Sequence, residues 1–177
     1  MKKTTLERMK IAPHYRLIDQ ELVNTLTDYE LETAIFDLVG RTNSDIIEQF
    51  MPSPESFSAI YKTRSFEESL KTYTIEYIHS DRFYQEYYPL KVIISSYKIF
   101  ALEEFALKIE EVNKAIDKKI ADNKIYGYRR FHVSQITIDK FRNEALLIKD
   151  KACAARARFI RDNAENFIGD YRALFSD

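Results

Sequence analysis

Few side chains are spaced for chemistry. Glu76 and His79 stand three residues apart, which on a helix sets a carboxylate and an imidazole one turn apart. Carboxylate-bridged di-metal sites in helical bundles are built from that unit, but they use it twice and add two more glutamates. Neither His14 nor His132 has a glutamate three residues upstream, so the reading is a histidine near a helix end and no metal site. Cys153 lies among Ala152, Ala154 and Ala155, surroundings that suit a small buried hydrophobe more than an activated thiolate, which needs a cation or histidine beside it in a cleft. Glu67-Glu68, Glu103-Glu104 and Glu110-Glu111 are adjacent pairs. Neighbours in a helix point to different sides, which suits solvated faces and not a shared proton. No G-x-S-x-G, H-E-x-x-H, P-loop or dinucleotide fingerprint occurs. The expectation is a non-catalytic protein with no cofactor and no metal.

Two other groupings suit binding. Tyr73, Tyr77, Phe83, Tyr84, Tyr87, Tyr88, Tyr97 and Phe100 place eight rings in 28 residues, with Lys71, Arg82, Lys91 and Lys98 between them. A tyrosine-rich core, a protein interface and a stacking platform for single-stranded nucleic acid all draw on such a set. Cations and rings also meet at Tyr128-Arg129-Arg130-Phe131-His132, and Arg142, Lys149 and Arg156 recur every seven residues. Arg129, Arg130, Arg142, Lys149 and Arg156 are therefore the candidates for nucleic-acid binding. The basic flank has two other readings: a solvated face, or one that docks on this chain's own acidic segment.

The acids lie elsewhere. Residues 17–60 carry nine carboxylates against Arg41 alone, residues 1–12 carry four basic side chains against Glu7, and residues 124–172 hold eleven basic side chains against six acids. These nearly cancel, for a formal net charge of −1, so no global field favours duplex DNA. Asp28, Glu30, Glu32, Asp37, Asp45 and Glu48 are the candidates for an acidic face that meets a protein partner or a second copy of the chain.

The elements that must position these groups are helices. Thr27-x-x-Glu30 has the capping-box pattern, with Leu31, Ile35, Leu38 and Val39 behind it at helical spacing and Gly40 as a left-handed stop. Asn43 or Ser44 caps a short helix through Phe50, and Ser53-Pro54 starts one that runs to about Ile78. Pro89 falls near a boundary or makes a kink, because proline lacks an N–H and crowds the preceding turn. Leu102, Phe105, Ile109, Val112 and Ile116 stripe a helix that ends near Asn123. Ile138, Phe141, Ala145, Ile148, Ala152, Ala155 and Phe159 step by three and four over three heptads. Asp162 breaks that seam, and Gly169 ends the helix before a Tyr171–Phe175 tail. The expectation is an all-α, single-domain, irregular bundle of about six helices with a long C-terminal helix, preceded by a flexible basic segment over residues 1–15.

With 177 residues, 45% hydrophobic and 31% charged, the chain can bury a core of its own. One cysteine permits no internal disulfide. No run approaches the roughly 18–20 apolar residues that span a bilayer, and no apolar core follows the N-terminal lysines as it would in a signal peptide. A cytoplasmic protein with no membrane association follows as the expectation.

Two stretches, Leu26-Thr27-Asp28-Tyr29-Glu30-Leu31-Glu32-Thr33-Ala34-Ile35-Phe36 and Ala59-Ile60-Tyr61-Lys62-Thr63-Arg64-Ser65-Phe66-Glu67, together resemble the bacterial DNA-mimic-protein-like family of small helical proteins. Where that family carries paired asparagines and paired glycines, this chain reads Lys71-Thr72-Tyr73-Thr74-Ile75. The resemblance implies a helical, non-enzymatic bacterial protein whose carboxylates imitate phosphates to occupy a DNA-binding partner.

Overall fold

A computed structural model describes residues 16–42, 44–70, 89–122 and 135–175. The architecture is all-α. The described helices are α1 (Gln20–Thr25), α2 (Asp28–Gly40), α3 (Ser44–Phe50), α4 (Pro54–Leu70), α5 (Leu90–Ile99), α6 (Glu103–Asp122) and α7 (Gln135–Asp162). Two compact units divide the chain: Met1–Tyr61 with Cys153–Asp177, and Lys62–Ala152. Both boundaries fall inside helices, α4 and α7, and not in a linker that composition would reveal.

The first unit is built on local signals that act as the sequence predicts. The Thr27 hydroxyl accepts from the Glu30 N–H (3.3 Å), and the Glu30 carboxylate accepts from the Thr27 N–H (3.1 Å) and hydroxyl (2.7 Å). This closes the capping box and satisfies N–H groups that a helix start leaves without partners. Leu31, Ala34, Ile35, Leu38 and Val39 then point inward. Asp19 caps α1 through the Leu22 N–H (2.8 Å), and Ser53 and Pro54 open α4 as expected.

Both predicted glycine stops fall elsewhere. Gly40 is still helical, and Arg41 closes α2 in right-handed geometry. A Cβ at Gly40 would sit 3.3 Å from the Tyr61 ring, so this glycine admits a neighbour and does not reverse the chain. Gly169 lies seven residues beyond the end of α7. It sits in a two-residue strand β2 (Gly169–Asp170) that pairs antiparallel with β1 (Leu17–Ile18), Leu17 opposite Asp170 and Ile18 opposite Gly169. The Tyr171 N–H continues the pairing to the Arg16 carbonyl at 2.6 Å, and the Arg16 guanidinium lies 4.7 Å from the Phe175 ring centroid. The turn after α7 buries Phe167 and Tyr171 against Phe57, with ring centroids 5.0 and 5.9 Å away.

The second unit packs α5 against α6. Pro89 stands at the N-cap of α5, the boundary that its missing N–H demands. The helix ends in a Schellman motif: the Leu102 N–H bonds the Tyr97 carbonyl (3.0 Å) and the Ala101 N–H bonds the Lys98 carbonyl (3.1 Å). Ala101 takes the left-handed position, φ 54°, which glycine usually fills. Leu102, Phe105 and Ile109 of the predicted stripe are buried, with Tyr97 set edge-on to Phe105 at 4.6 Å.

Candidate functional site

The most informative constellation lies within the first unit, where α2 meets the last turns of α7. Glu32 and Arg156, 124 residues apart, form a buried ion pair. The Arg156 Nε donates to Glu32 Oε1 at 2.9 Å and its Nη2 stands 2.8 Å from the same oxygen. Arg156 is 1% exposed and Glu32 2%. One turn further along α7, Arg161 donates to the Asp28 carboxylate (2.6 Å) and to the Leu26 carbonyl (2.9 Å). It thus neutralises an acid in the first turn of α2 and holds the segment that leads into it.

These contacts redistribute both predicted candidate sets. Glu32 belongs to the interior, and Arg156 is not available to a nucleic acid. Ala152, Ala157 and Ile160 are buried beside Arg156 while Ala155 and Phe159 are only half-buried, so the inward face is turned by about one residue, ~100° around the axis. The seam registers apolar residues only, and it is blind to a guanidinium that has found its carboxylate. The docking of the basic flank on the chain's own acidic segment, one of three readings of that flank, holds at Arg156 and Arg161. At Arg156 it lies in the core and not at the rim.

Of the remaining acidic candidates, Glu30 serves the capping box, Asp37 is half-exposed and Glu48 exposed. Asp37 and Glu48 make no ion pair among the described residues. The side chains of Asp45 and Arg142 lie outside those described, as do Arg129 and Arg130 altogether. Lys149 is half-buried. Leu17, Tyr29 (49% exposed) and Phe50 (56%) present large apolar surface on the same unit as the acids.

The second unit corrects one reading of the paired acids. Glu67 is buried, and its Oε1 accepts the Tyr97 hydroxyl at 2.8 Å. Tyr97 and Phe100 are core residues; the other six rings of the aromatic cluster lie outside the described residues. Glu103, Glu104 and Glu111 are exposed as expected. Glu110 is held below the usual carboxylate range by its hydrogen bond to Lys114 and by that ammonium's charge. On the first unit, hydrogen bonds from Arg172 bring the exposed Asp170 carboxyl down to about 2. Burial pushes the Tyr171 phenol up to about 12, and its hydroxyl donates to the Phe167 carbonyl at 2.9 Å.

Cys153 is half-buried, while Glu76, His79 and His132 lie outside the described residues. Among the described residues, no three His, Cys, Asp or Glu side chains gather where they could hold a metal ion, and no helix is long and apolar enough to cross a membrane. No protein-family model matches the chain, and no curated protein or solved structure matches it.

Proposed function

We propose that this chain is a cytoplasmic, non-catalytic bacterial interaction protein that binds a protein partner through the outward face of α2 and α3. One observation carries the reading. Arg156 and Arg161, two cations of the C-terminal segment, are committed internally to Glu32 and Asp28, so Asp37 and Glu48 keep their charge at the surface of a unit that also exposes Tyr29 and Phe50. Large apolar side chains set among like charges are the composition of a contact surface more than of a solvated one. A phosphate-mimicking version of this reading would draw on Asp37, Asp45 and Glu48.

Photocrosslinking tests it. A benzophenone side chain at position 29 or 50 should capture one discrete protein in the native host, and the same group at Glu111 on α6 should not. Equal, diffuse labelling from all three positions would remove the proposal.

A further inference from the structure

We draw no further inference here: the strongest candidate, the strip of rings that Tyr29 and Phe36 form along the outward face of α2 with Tyr61 stacked on Phe36, is bordered by Arg41 as well as by Asp37, and nothing in the structure shows what covers it.

Discussion

Removing the guanidinium of Arg156 should be among the most damaging single changes this protein can suffer, although arginine is ordinarily a surface residue. The pair is fully enclosed, with Nη2 to Oε1 at 2.8 Å. At an effective dielectric near 20 the attraction is about 6 kcal/mol, while bringing two charges out of water costs several kcal/mol each. The two nearly cancel, so the pair adds little net stability. Truncating one partner is another matter, because the other charge stays buried. Arg156→Met should therefore cost about 3–5 kcal/mol, a large share of the roughly 5–15 kcal/mol that holds an ordinary domain folded.

Restoring the balance tests the same logic from the other side. The double variant Glu32→Leu with Arg156→Met replaces the pair by apolar groups of similar size. It should recover most of the loss and reach wild-type stability within about 1–2 kcal/mol, or exceed it. Urea unfolding followed by circular dichroism on all four proteins gives the coupling energy directly. A single-variant cost below about 1 kcal/mol would refute the burial of the pair. A double variant no better than the worse single would refute the charge-balance reasoning.

Ala101→Gly should stabilise the protein by about 0.5–1 kcal/mol in the same assay, since relief of a left-handed alanine (~1–2 kcal/mol) exceeds the added freedom of the unfolded glycine (~0.4–1 kcal/mol). Gly169→Ala should cost roughly 1–3 kcal/mol, because its Cβ would lie 2.8 Å from Cζ and Oη of the buried Tyr171 ring and force that ring off Phe57; an unchanged urea midpoint would place the ring elsewhere. Tyr171, raised from 10.0 to about 12 by burial, should titrate well above the ordinary phenol range, followed by phenolate absorbance. The protonated phenol is the form that the fold prefers, so its contribution is complete below pH 10 and fades as pH climbs towards 12, by about 2–3 kcal/mol in all. Tyr171→Phe should lower the late-titrating absorbance by one phenol; an unchanged amplitude would contradict the assignment.

Local chemistry was legible in the residues themselves. A hydroxyl three positions before a glutamate closes the same two hydrogen bonds wherever α2 is packed, and Ser53-Pro54 and Pro89 set boundaries through the backbone alone. The stripes Leu31–Ile35–Leu38 and Leu102–Phe105–Ile109 marked inward faces because side-chain period is a property of the helix. Less was legible where two plausible roles share one residue type. Gly40 and Gly169 read as stops because glycine favours helix ends, yet their work is to admit rings: that of Tyr61, which arrives from α4, and that of Tyr171, two residues on, which packs on Phe57. The two-residue strands are too short to show any alternation.

Charge was the hardest property to read. Sequence determined how many acids and bases there are and on which segments they lie, together with the all-helical character that follows from capping and period. Which of those charges reach water was decided only by tertiary packing. Glu32 and Arg156 are 124 residues apart, and no local pattern distinguishes them from Asp37 or Arg158. Folding α2 against the end of α7 withdraws one carboxylate and one guanidinium together, because a charge can leave water only in the company of its opposite. What remains outside, acids and rings along α2, is the complement of that choice.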